Sequence, residues 1–116
     1  MSITGAANLH QIALALIEAT NVFDVDRALM LFARDAVIKD PSTGHHFESH
    51  AGIRNYIEQY FIGYHTFTRF LSIESLGDSV ARARVAFTGD FGHEIGLLQI
   101  AVNPQGLIVR IDADLE

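Results

Sequence analysis

The hydrophobic period of this chain changes at Gly63, and that change limits the fold more than any other feature. Before it, Leu9, Ile12, Ala13, Leu16, Ile17 and Thr20 recur at helical spacing, and so do Ile53, Tyr56, Ile57, Tyr60 and Phe61. Between them, Asp24 is placed to cap a short helix whose buried side is Ala28, Leu29, Leu31 and Phe32. After Gly63 the period is two. In "VARARVAF", Val80, Arg82 and Arg84 fall on one face and Ala81, Ala83, Val85 and Phe87 on the other. "YHTFTRFLSIESL", "HEIGLLQIAV" and "LIVRIDADL" are further strands, parted by turn signals at Gly77–Asp78 and "NPQG". In the last strand Leu107, Val109, Ile111 and Ala113 share a side. Helix, helix, strand, helix and then long strands predict an α+β domain with helices on one face of a curved sheet.

Composition excludes several functions. The 116 residues suit one domain spanning 1–116, and 49% hydrophobic against 19% charged is globular. A net charge of -6, one lysine (Lys39) and scattered arginines leave no basic cluster for phosphates, so no nucleic acid partner is expected. There is no cysteine, which excludes thiolate chemistry and cysteine metal sites. No apolar stretch has the length of a membrane span, and "MSITGAANLHQIALALIEA" lacks a basic leader region. A soluble cytoplasmic protein without a membrane partner is the expectation.

The segment with most chemistry in it is "DAVIKDPSTGHHFE", residues 35–48. An apolar strand pattern runs out in Asp40, then "PSTG" makes a turn, and "HHFES" can return as a short partner strand. Asp40 can cap that turn, or it can stand at the mouth of a pocket as a base.

Residues 29–57, "LMLFARDAVIKDPSTGHHFESHAGIRNYI", resemble the nuclear transport factor 2-like superfamily in its SnoaL-like and ketosteroid isomerase-like branch. The resembling features are Phe-Ala-x-Asp-Ala, a strand ending in Asp-Pro, and a helix opening with a spaced Ile and aromatics. The resemblance covers nearly the whole chain. It implies a cone-shaped α+β barrel, with a strongly curved mixed or antiparallel sheet wrapped around three N-terminal helices. It also implies chemistry without cofactor or metal, and an apolar small-molecule ligand. Asp40 matches the general base of the isomerases, whose tuning of carboxyl groups is well known. A carboxylate in an apolar cone loses solvation and becomes a stronger base. Tyr56 falls where such proteins place a pocket aromatic. The two oxyanion-hole donors of the isomerases fall on Leu16 and Leu98, so that stabilisation is absent. Leu16, Tyr56, Phe87 and Leu98 are the expected walls of the substrate site.

The remaining candidates each have an ordinary alternative. His65, at the start of the first long strand, is a candidate acid partner for Asp40, or a surface residue. Tyr60 suits the core, and His93 a solvent-facing turn. His46, Glu48 and His50 would share one face of an extended segment, a weak metal signal. Arg82 and Arg84 suit an ion-pair face with Glu74 and Asp112 as partners. Epoxide hydrolases of the same superfamily use an Asp-Arg-Asp set, which Asp40, an arginine and Asp112 echo, but the parity of Arg82 points it away from the cone. Ile95 and Leu97 alternate against Gly96, Leu98 and Ile100, leaving an apolar stripe outside the cone. That stripe predicts a homodimer through the outer sheet face. A proton-transfer isomerase, cyclase or dehydratase and a non-catalytic ligand-binding or interaction module are the two functions carried forward.

Overall fold

The computed structural model describes residues 5–116. Helix α1 (Gly5–Asn21) buries Leu9, Ile12, Ala13, Leu16 and Thr20, the stripe that the spacing predicts. Asp24 caps α2 (Val25–Leu29), accepting the Arg27 N–H at 3.1 Å. This helix is shorter than its apolar spacing suggested. Phe32 is buried as the first residue of β1 (Phe32–Asp40), because the chain has already left α2 at Met30. Strand β1 turns through a 3-10 segment (Pro41–Thr43) into β2 (His45–Glu48), and Gly44 supplies the left-handed residue, φ 75°, that closes the turn.

Helix α3 (Ser49–Ile57) widens over Glu58–Ile62 into a π-helical turn, where the Gly63 N–H bonds the Glu58 carbonyl at 2.8 Å. A Cβ at Gly63 would lie 2.4 Å from the Gln59 carbonyl oxygen, so only glycine ends the turn this way. Then follow β3 (Phe67–Ser75), β4 (Val80–Gly89), β5 (Gly92–Val102) and β6 (Ile108–Leu115).

One six-stranded sheet runs in the order β2-β1-β6-β5-β4-β3. Every neighbouring pair is antiparallel except β1 with β6, so the sheet is mixed. Irregularities in register bend it between Phe32 and Val37, between Phe70 and Ser72, and between Ala101 and Val102. The last corrects strict alternation in β6. Ala101 pairs Arg110 and Val102 pairs Ile108, so Val109 is the extra residue. Ile108 therefore turns inward and is fully buried, while Ile111 and Ala113 keep the inner side.

α1 lies against β3, β4 and β5, and α3 against β1 and β2, so the helices cover one face of a curved open sheet. One tie fixes the far edge. The Asn21 side chain at the end of α1 accepts the Thr68 N–H at 2.7 Å and donates to the Thr68 carbonyl at 2.8 Å. It thereby substitutes for a neighbouring strand at the start of β3. No helix among the described residues is long and apolar enough to cross a membrane.

Candidate functional site

Two cavities lie between the helices and the sheet. The inner one, about 40 Å³, has walls that are almost wholly apolar. Leu16 from α1, Tyr56 from α3, Phe87 from β4 and Leu98 from β5 all line it. The outer one, about 300 Å³, opens toward solvent and includes Asp40, Ser42, Tyr60, Tyr64, Phe91 and Glu94. Tyr56, Phe61 and Phe87 belong to both linings and form the neck between them. Phe61 and Phe87 meet there edge to face, their ring centroids 6.2 Å apart. Gly96 makes room for this packing, since a Cβ on it would come within 2.5 Å of the Phe87 ring.

Asp40 does both of the things its sequence context allows. Its Oδ1 accepts the Ser42 N–H at 3.1 Å and the Ser42 hydroxyl at 2.6 Å, capping the 3-10 turn. Its Oδ2 accepts the Tyr56 hydroxyl at 2.7 Å, and the residue is only 9% exposed at the wall of the outer cavity. A carboxylate has about four lone-pair sites. Three donors occupy three of them and leave one acceptor direction on Oδ2. Burial pushes the Tyr56 hydroxyl well above the usual tyrosine range, and the Asp40 charge and hydrogen bond add to the shift. Tyr56 is thus a protonated donor that holds Asp40 in place.

From Tyr56 a run of aromatic contacts leads outward. Tyr56 and Tyr60 are 5.4 Å apart, Tyr60 and Tyr64 5.9 Å, and Tyr64 and Phe91 6.2 Å between centroids. Phe47 of β2 braces Tyr56 from behind at 4.9 Å. Tyr60 thus faces the outer cavity, where helical spacing alone assigned it to the core. The π-helical turn accounts for the difference, since it rotates residues 58–62 relative to a regular helix.

His65 does not join Asp40. It lies in the turn before β3 with φ 54°, its side chain is 72% exposed, and its Nδ1 sits 2.9 Å from Asp90 Oδ2. The left-handed backbone turns the ring outward, so strand parity does not apply to it. His46 and Glu48 stay together on β2, 3.2 Å apart and exposed, but His50 leaves them. The extended segment ends at Glu48, and His50 enters α3, where its Nε2 lies 3.0 Å from the Phe32 carbonyl oxygen. Arg82 lies on the outer face, bonded to Glu74 at 3.2 Å. Asp112 pairs with Arg110 at 2.8 Å, and Arg84 pairs with Glu116 at 2.6 Å. Among the described residues no Asp-Arg-Asp set assembles with Asp40.

Ser42, Tyr64, Phe91 and Glu94 were not singled out from the sequence. Glu94 was legible, because inward Gly96 and Leu98 put it on the same face two positions earlier, directly across from Phe87. The others sit in turns, where periodicity gives no direction.

These elements define a cone-like α+β fold with an aromatic mouth and a buried carboxylate at its side. A family profile described as a SnoaL-like domain matches residues 13–111, and the chain belongs to that family. No curated protein matches it. Among solved structures, one provisionally assigned as a ketosteroid isomerase from Kribbella flavida is similar, with a TM-score of 0.85 at 16% identity, covering 99% of this chain and 82% of its own. A provisionally assigned polyketide cyclase from Sinorhizobium meliloti gives a TM-score of 0.82 at 20% identity, covering 90% of this chain and 94% of its own. A computationally designed 17-OHP binder gives 0.82 at 15% identity, covering 99% and 93%. At these identities the likeness is one of fold.

The raised pKa of Tyr56 has a measurable consequence. The folded protein keeps the Tyr56 proton above pH 10, where an unfolded tyrosine loses it. The stability this contributes is complete below about pH 10 and declines as pH rises toward the folded-state value. Melting temperatures of wild type and Tyr56→Phe measured from pH 8 to 11 should therefore converge above about pH 10. A gap between the two that stays constant over the range would contradict the burial of this hydroxyl.

Proposed function

We propose that this SnoaL-like chain binds an apolar cyclic small molecule in its aromatic mouth and moves a proton on it with Asp40 as general base. The observation that supports this most is the state of Asp40: buried, held at both oxygens by three donors, and part of the lining of the outer cavity. Tyr56 and Ser42 act as positioning residues, keeping the carboxylate in one orientation, as proton transfer requires. The part once assigned to His65 is left to groups on the ligand itself or to solvent at the mouth. The outer cavity, at about 300 Å³, has the volume of a small-ligand site.

A non-catalytic ligand carrier of the same fold is favoured by a different observation. Leu16 and Leu98 give the inner chamber hydrocarbon where an enolate would need donors. The two readings differ in one experiment. A panel of cyclic ketones, enones and sterols is screened by thermal shift, and each hit is followed by NMR for deuterium exchange or isomerisation. For the enzyme, Asp40→Asn should lower turnover by about 10²–10⁴-fold while binding changes little. Binding without turnover, equal in both proteins, removes catalysis by Asp40 and leaves the carrier.

We also infer a homodimer through the outer sheet face. Ile95 and Leu97 stand half-buried there, Leu97 opposite Arg84 of the Arg84–Glu116 ion pair and Ile95 opposite Ala86. An apolar strip with a charged rim suits a second copy of the same surface related by a twofold axis.

A further inference from the structure

The inner chamber holds a loose end that the base chemistry does not use. Thr68, the second residue of β3, is 3% exposed and lines this chamber. Its Oγ1 is the one buried side-chain polar atom among the described residues with no hydrogen-bond partner. The other buried polar side chains are all satisfied. Thr20 donates to the Leu16 and Ile17 carbonyls at 3.1 and 3.0 Å, Thr66 donates to the Tyr60 carbonyl at 2.7 Å, and Asp40 has its three donors. A buried hydroxyl without a partner opposes folding, and valine would fill the same volume without that cost.

The position is also held firmly. Asn21 pairs both the N–H and the carbonyl of Thr68, which fixes the backbone at this position. The chamber has room for one small group, because about 40 Å³ exceeds what a single oxygen needs. Of the other hydroxyls carried by the lining residues, Thr20 has given its proton to helix α1 and Tyr56 has given its proton to Asp40. Among the lining residues Thr68 alone therefore has a free hydroxyl proton to give an oxygen placed there.

We propose that the inner chamber is an anchoring site for one neutral oxygen of the ligand, a ring carbonyl or hydroxyl, bound by the Thr68 hydroxyl. The proposal rests on the ligand-binding role proposed above and narrows its substrate class to oxygen-bearing rings. The ring body lies in the outer cavity, and its oxygen-bearing edge passes the neck at Phe61 and Phe87. A charged oxygen is disfavoured, since the inner walls carry no cation and are almost entirely hydrocarbon.

The test uses 2-tetralone and tetralin, which share a two-ring body and differ in one carbonyl. Dissociation constants are measured by NMR titration for wild type, Thr68→Val and Thr68→Ser. Wild type should prefer 2-tetralone by about tenfold, the value of one hydrogen bond made in a dry site. Thr68→Val should bind the two compounds alike, and Thr68→Ser should keep the preference. A ketone preference that survives in Thr68→Val overturns the anchor, and so does binding of both compounds by wild type without preference. In those two cases ligand binding itself still stands. Failure of every protein to bind either compound overturns the ligand-binding role and the anchor with it. A crystal structure of the 2-tetralone complex with a water still bonded to Thr68 would assign the hydroxyl to solvent and overturn the anchor as well.

Discussion

The hydrogen bond from Tyr56 to Asp40 joins the two halves of this fold at the place where they matter for chemistry. Asp40 ends β1, the strand next to one edge of the sheet, paired with β2 on one side and β6 on the other. Tyr56 sits in the last turn of regular helix before α3 widens. Tying them sets how far the helix stands from the strand end, and so sets the neck between the two cavities. Ser42 pulls on the same carboxyl from the turn, so the group is held at both oxygens. A buried carboxyl with fewer partners would be costly, because an incompletely bonded polar group in a dry site costs more than its bonds return.

The division of the cavity follows from side-chain size. Leu16, Ile38, Leu98 and Ile111 nearly close the inner chamber, while Tyr60, Tyr64 and Phe91 form a run of aromatic contacts along the wall of the wider mouth. The whole of a large ring system does not enter an inner space of about 40 Å³, so any ligand is held chiefly at the mouth. Aromatic rings are suited to that, being broad and stiff, with few rotamers to lose on binding.

Much of the fold and part of the site were legible in the amino-acid order. Helical spacing placed Leu16, and the strict alternation of β4 placed Phe87 inward and Arg82 outward. The Asp-Pro-Ser-Thr-Gly run marked both the turn and its capping acid. Legibility failed where the backbone leaves its regular period. The positive φ of His65 turns an apparent strand residue outward, the π-helical turn brings Tyr60 to the cavity, and one extra residue in β6 turns Ile108 inward. The partner of Asp40 escapes spacing for a related reason: Tyr56 lines the wall, and its hydroxyl also reaches the carboxyl across sixteen residues. Sequence spacing reports which face a residue occupies, and not what its terminal atom meets.

The coupling of Asp40 to Tyr56 is measured most directly by a double-mutant cycle. Unfolding free energies of wild type, Asp40→Ala, Tyr56→Phe and the double variant are obtained in urea at neutral pH. A hydrogen bond to a buried carboxylate predicts a coupling of about 1.5–3 kcal/mol. Effects that add to within about 0.3 kcal/mol would contradict the account, for the two residues would then not be partners at the neck of this cavity.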